Sequence, residues 1–171
     1  MRRPSAFRKA PPQALVNNAH QQLWRRCRIV IVASRFNQAL SEALAAAAKH
    51  ELQCAGIPAS QIRLVWVPGA FELPVVVSRI ARSRQHPDAV IAVGVLVKGK
   101  TSQYQVLANA VAQGLTTVSC QTGIPVTFGV IVAETTAQAA ARARPGPRNR
   151  GVEAARATLD VLWSIEQSAV S

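Results

Sequence analysis

Residues 89–105 read AVIAVGVLVKGKTSQYQ. Ala89–Val97 is an unbroken apolar run rich in β-branched side chains, as expected of a strand buried on both faces. Lys98-Gly99-Lys100-Thr101-Ser102 then turns the chain into a segment whose apolar positions recur at helical spacing over 102–118. The same unit repeats on either side. Upstream, Ile29–Ala33 (IVIVA) precedes a helical pattern over 38–55, which is rich in alanine at Ala45–Ala48 and stopped by Gly56-Ile57-Pro58. Ile62–Val67 (IRLVWV) leads through Pro68-Gly69 into a helix over 71–84, with Pro74 tolerated in its first turn. Downstream, Pro125–Val132 (PVTFGVIV) is followed by helices over 135–143 and 150–167. Four βα units in succession predict an α/β protein: a three-layer αβα sandwich around a four-stranded parallel sheet, joined by right-handed crossovers. Open sheets of this kind bind ligands beyond the carboxyl ends of their strands. That rule selects the turns at 34–37, 68–72 and 98–103 and the segment after Val132.

The chain has 171 residues, enough for one domain with a full core, and 49% of them are apolar, which excludes bulk disorder. No apolar run approaches the roughly 18 residues of a membrane span. Twenty Lys and Arg against eight Asp and Glu give a net charge of +12, unevenly spread. Residues 1–35 carry eight basic side chains and no acid. We expect residues 1–26 to be a disordered basic arm and 27–171 a single domain. The charge fits an anionic partner or a solvated surface, with nucleic acid limited to non-specific contact through the arm. The first 27 residues have no apolar core of a secretory signal, which predicts a cytoplasmic protein; an organelle transit peptide is the other reading of this Arg-rich, acid-free stretch. Cys27, Cys54 and Cys120 are scattered, as are His20, His50 and His86. This spacing argues against a disulfide framework or a metal cluster.

The third turn carries the strongest physical signal. Gly99 permits close backbone approach, Thr101 and Ser102 offer hydroxyl and N–H groups at a helix start, and Lys98 and Lys100 flank them. This is a phosphate cradle or an ordinary capped turn; the Walker spacing GxxxxGK[ST] is absent. Arg142, Arg144, Arg148 and Arg150 around Pro145-Gly146-Pro147 form a second anion candidate. Phe71-Glu72 pairs an aromatic face with a carboxylate, suited to a flat heterocycle bearing N–H groups. Phe36-Asn37 offers a similar pair, or a simple helix cap.

Taken in order, Arg35-Phe36-Asn37, Val67-Pro68-Gly69-Ala70-Phe71-Glu72-Leu73-Pro74, Gly94 to Thr101, Gly123 to Val130, Arg142 and Asn149-Arg150-Gly151 closely resemble the 6,7-dimethyl-8-ribityllumazine synthases of riboflavin biosynthesis, over about residues 27–167. The resemblance implies a flavodoxin-like fold and a cytoplasmic transferase without metal or organic cofactor. It condenses 5-amino-6-ribitylaminouracil with 3,4-dihydroxy-2-butanone 4-phosphate. The resemblance also implies a homopentamer, or an icosahedral shell of pentamers, with active sites between subunits. By the same resemblance Phe36 stacks on the pyrimidine, while Ala70, Phe71 and Glu72 line the ribityl and ring pocket. Val95, Leu96 and Val97 present main-chain groups to the uracil edge. Lys100, Thr101 and Arg142 hold the phosphate, and Phe128 comes from the adjacent subunit.

One position departs from the family pattern. The family's turn carries a proton-shuttling histidine followed, two residues on, by an acid; here Gln103 and Gln105 occupy those places. A carboxamide hydrogen-bonds but does not titrate near neutrality, and general acid–base help is worth about 10²–10⁴-fold in rate. Three readings follow: a slow synthase relying on proximity, with Lys100 a substitute proton donor; a paralogue binding a related pterin, flavin or ribityl compound; and a shell-forming scaffold.

Overall fold

The computed structural model describes residues 18–169. Its elements, in chain order, are α1 (Asn18–Arg26), β1 (Ile29–Ser34), α2 (Gln38–Cys54), β2 (Ile62–Val67), α3 (Leu73–Ala81), β3 (Ala89–Val97), α4 (Gln103–Thr122), β4 (Val126–Ala133), α5 (Thr136–Ala143) and α6 (Arg150–Ser168). The four strands form one parallel sheet in the order β2-β1-β3-β4. Strand alternation sends Ile29, Ile31 and Ala33 of β1 to one face, with Leu44, Leu52, Ala155 and Leu162 from α2 and α6. Val30 and Val32 face the other way, against Leu73 and Val77 of α3 and Val111 and Leu115 of α4. Two apolar layers thus enclose the sheet, giving the expected αβα sandwich of flavodoxin-like kind. Among the described residues no helix is long and apolar enough to cross a membrane.

Helix ends differ from the sequence pattern where local chemistry intervenes. The segment expected to be helical from 71 begins as a 3-10 turn over Ala70–Glu72, and α3 starts only at Leu73, with Pro74 in its first turn. Proline has no N–H to give to an earlier carbonyl, so the regular helix begins around it. At its far end α4 runs on to Thr122, where Gly123 adopts the left-handed conformation that terminates helices (φ 71°).

The amino-terminal boundary needs correction. The arm expected over 1–26 is, over its last nine residues, the helix α1, with Leu23 and Trp24 buried in the core. His20 stacks on Trp163 of α6 at 3.8 Å between ring centroids, and Arg26 pairs with Glu166. A segment with so few apolar residues gains its order from this tertiary contact rather than from its own helix propensity. The rest of the expected arm, residues 1–17, lies outside the described residues.

α6 is started by a side chain. Asn149 is buried; its Oδ1 accepts from the N–H groups of Gly151 and Val152 at 2.8 and 3.3 Å. Its Nδ2 donates to the carbonyls of Ala143 and Arg144, the last turn of α5. One amide therefore caps one helix and closes another. Asn149→Ala removes the cap and leaves buried carbonyls without a donor, so we expect a loss of about 2–3 kcal/mol in denaturant unfolding. Asn149→Asp keeps the cap acceptor but sets a buried carboxylate oxygen against the Ala143 and Arg144 carbonyls, so it should lose at least as much as Asn149→Ala.

Candidate active site

In an open sheet of order 2-1-3-4, the chain leaves β1 toward β2 and returns to β3 on the other side, opening a crevice above the β1/β3 boundary. The two strands also end at different heights. The β1 ladder stops at Ala33 opposite Val93, whereas β4 pairs with β3 as far as Val97. The β1-facing edge of residues 95–97 therefore has no strand beside it, and a cleft of about 350 Å³ opens there.

Phe36, Ala70, Phe71, Glu72, Val95, Leu96, Val97, Thr101 and Gln103, all singled out from the sequence, line this one cleft. Phe36 and Phe71 are 69% and 58% exposed, uncommon for phenylalanine and suited to stacking on a flat ring. Both sit on turns that begin directly after strands. The backbone N–H of Phe36 donates to the Pro68 carbonyl at 3.0 Å and that of Arg35 to the Val67 carbonyl at 2.8 Å, so the first two turns are tied together. The Arg35 guanidinium lies over the Trp66 ring, 5.7 Å from its centroid, which adds a cation–π contact to the same junction.

Two lining residues, Tyr104 and Leu107, had no role in the sequence reading, whereas Gly99 belongs to the turn already singled out there. Tyr104 and Leu107 lie on the inner face of α4, a position that helical periodicity could have placed. A Cβ at Gly99 would meet nothing within 4 Å, so the protein's own packing makes no demand for glycine there. Asn37 is a further surprise. It precedes α2 but its side chain does not cap that helix; the residue is left-handed (φ 57°) and its Nδ2 donates to the Val95 carbonyl at 3.1 Å. Asparagine tolerates this conformation better than most residues, which explains its presence on a turn that reaches across to β3.

Lys100, Phe128 and Arg142 do not line the cleft of the chain that carries Phe71. Lys100 is exposed on the rim loop. Phe128 lies mid-strand on β4, opposite Ala92. Arg142 ends α5 at the β4 edge, where it donates to the Arg148 carbonyl at 2.9 Å and to both carboxylate oxygens of Glu153 at 3.1 and 2.5 Å. Arg150 reaches the same carboxylate at 3.2 Å. Burial works to raise the Glu153 carboxyl, but hydrogen bonds and charge from Arg142 and Arg150 outweigh it and hold the group below its ordinary value. A depressed carboxyl stabilises the fold fully above the unfolded-state value of about 4.3, and that contribution disappears as pH falls through the lower folded value. The stability difference between the wild type and Glu153→Gln, measured by urea unfolding, should therefore be present at pH 7 and vanish in acid.

A sequence model of 6,7-dimethyl-8-ribityllumazine synthase matches residues 26–165. Among curated proteins, the 6,7-dimethyl-8-ribityllumazine synthase of Leuconostoc mesenteroides is 37% identical over 140 residues, covering 82% of this chain and 89% of the relative. The protein of the same name from Xylella fastidiosa is 40% identical over 140 residues, covering 82% and 90%. That from Gemmatimonas aurantiaca is 42% identical over 135 residues, covering 79% and 82%. With the sheet order, the crevice at its switch point and the aromatic turns already in place, the chain belongs to the 6,7-dimethyl-8-ribityllumazine synthase family.

Proposed function

We propose that this protein makes 6,7-dimethyl-8-ribityllumazine in riboflavin biosynthesis, joining 5-amino-6-ribitylaminouracil to 3,4-dihydroxy-2-butanone 4-phosphate. The observation that carries the reading is the single cleft lined by both exposed phenylalanines, Glu72, the open edge of β3 and the start of α4. The uracil ring stacks on Phe36 and Phe71. Its polar edge meets the main chain of Leu96 and Val97, beside the Val95 carbonyl already occupied by Asn37. Glu72 accepts from ribityl hydroxyls. Thr101 and the first N–H groups of α4, with Lys100 above them, receive the phosphate. A pure scaffold has no use for so complete a pocket.

Phe128 and Arg142 complete the site from a neighbouring copy, in a homopentamer. They stand at the β4 edge of the sheet rather than in the cleft of their own chain, so another copy must bring them to it. Val75 on α3 and Val106 on α4, both two-thirds exposed, supply apolar surface for that contact. Joining two reactants in one pocket draws on proximity, which is worth about 7–11 kcal/mol and requires no titrating side chain.

The test is lumazine formation followed by absorbance, on the wild type and two variants. Arg142→Ala should raise KM for the butanone phosphate by about 10- to 100-fold, since a charge-assisted bond contributes about 1.5–3 kcal/mol. Phe71→Ala should raise KM for the uracil by about 2- to 10-fold through lost stacking. Co-assembling Phe71→Ala with Arg142→Ala should restore some sites to wild-type KM for both substrates, because in some of them both mutated positions come from the unaffected copies. No lumazine above the spontaneous rate, with no binding of the uracil, would exclude the synthase reading.

A further inference from the structure

The elimination step of this condensation needs a base, and the protein's own groups are poorly placed to be one. Gln103 and Gln105 are carboxamides. The three histidines stand elsewhere: His20 on α1 against Trp163, His50 on α2, and His86 between α3 and β3, toward the amino ends of the strands. Within the cleft, Glu72 and Tyr104 are the ionisable residues among those described. Glu72 Oε2 folds back over Gly69, where an added Cβ would lie 2.9 Å from it, and Tyr104 is largely buried. Lys98 and Lys100 on the rim, and Arg35 beside Phe36, are cations without a free lone pair. At the β4 edge, which a neighbouring copy would present, Glu153 is committed to Arg142 and Arg150, while Arg144 and Arg148 add only positive charge. Glu134 there lies on the exposed turn after β4, in solvent and outside the cleft of its own chain.

We propose that the phosphate of the bound butanone phosphate is itself the base that removes the carbon-bound proton during its own departure. The inference rests on the synthase reading above and deepens it. Once the uracil's amine has condensed with the ketone at C2 and water has left, the C3 proton is acidified by the adjacent imine. A non-bridging phosphate oxygen takes that proton through a six-membered arrangement of H, C3, C4, the bridging oxygen, phosphorus and the accepting oxygen. The C3–H electron pair becomes the C3–C4 double bond, the C4–O bond breaks, and phosphate leaves carrying the proton. No oxidant, metal or further reactant enters. The chain's contribution is to seat the phosphate at the start of α4, with Lys100 and Thr101, so that this oxygen faces C3 rather than solvent.

The experiment measures kcat from pH 5 to 9 with saturating uracil and either butanone phosphate or its O-phosphorothioate, subtracting the spontaneous reaction. The expected profile rises about tenfold per pH unit up to the second ionisation of the bound phosphate and is then flat. The cations and N–H groups around the phosphate hold that ionisation below its free value of about 6. The phosphorothioate should move this limb by the same amount, and in the same direction, as it moves the substrate's own titration followed by phosphorus NMR. Lys100→Ala should raise KM for the phosphate substrate and keep the limb, displaced toward higher pH because a cation beside the phosphate has been removed. A limb at the same pH with both substrates, a flat profile, or a limb abolished in Lys100→Ala overturns the proposal while leaving the synthase reading intact. Absence of enzymic turnover overturns both.

Discussion

Gln103→His should raise kcat for lumazine formation by about 10²-fold, the lower end of the 10²–10⁴ range for a positioned acid or base. Gln103 opens α4 and lines the cleft, so an imidazole placed there meets the reacting atoms without any change of fold. Its backbone N–H faces Thr101 Oγ1, and the substitution leaves that contact in place. Imidazole titrates near 6.5 in water, so the variant should acquire an enzyme-borne limb whose position no longer follows the substrate's phosphate. The gain stays at the low end because Gln105 offers no nearby negative charge to favour the protonated ring. Gln103→His with Gln105→Asp should therefore exceed the single change. An unchanged kcat in both variants would mean that the proton does not pass through this end of the cleft.

The strands were legible because period and composition agree. Ile62–Val67 and Ala89–Val97 are predicted with the bounds they have, and β4 is displaced by a single residue. β3, buried on both faces, leaves little choice of residue, and its apolar run stops where burial stops. β2 is an edge strand with Arg63 and Leu64 exposed, and its β-branched and aromatic composition marks it instead. α1 was not legible for the converse reason. The order of Asn18–Arg26 depends on Trp163, which lies far away in sequence and carries no local trace in NAHQQLWRR. The cleft divides in the same way. Its aromatic turns follow strands directly, so topology places them once the strands are known. The Arg142–Glu153 pair joins residues separated by a loop and a helix start, and nothing in the Arg-rich stretch around Pro145 marks which arginine is held. Spacing also could not show that Phe128 and Arg142 miss the cleft of their own chain. That follows from the strand order, which puts β4 at the sheet edge.

Gly151→Ala should be among the most damaging single-atom changes in the chain. A Cβ at this position would lie 2.0 Å from the Leu44 carbonyl oxygen and 2.8 Å from its carbon, both backbone atoms that no rotamer can move. The crossing is built for closeness: Ala45 and Ala48 of α2 and Ala154 and Ala155 of α6 are all buried there, with Leu44 fully enclosed. Relief therefore requires α6 to shift as a body. Overpacking of this sort costs about 1–3 kcal/mol and occasionally more, and a clash with main chain belongs at the upper end. For a chain of this size that corresponds to a fall in Tm of roughly 6–12 °C, read at fixed protein concentration. Gly99→Ala, where the added carbon meets nothing within 4 Å, should leave Tm unchanged. The damage should also reach the chemistry. The first turn of α6 carries Arg150 and Glu153, and through Glu153 it holds Arg142. Moving that turn loosens the arginine proposed for the phosphate, so KM for the butanone phosphate should rise while KM for the uracil, proposed to stack on Phe36 and Phe71 on the other side of the sheet, stays near wild type. A fall in Tm with both KM values unchanged would separate the α2–α6 crossing from the phosphate arginine and remove the link argued between them.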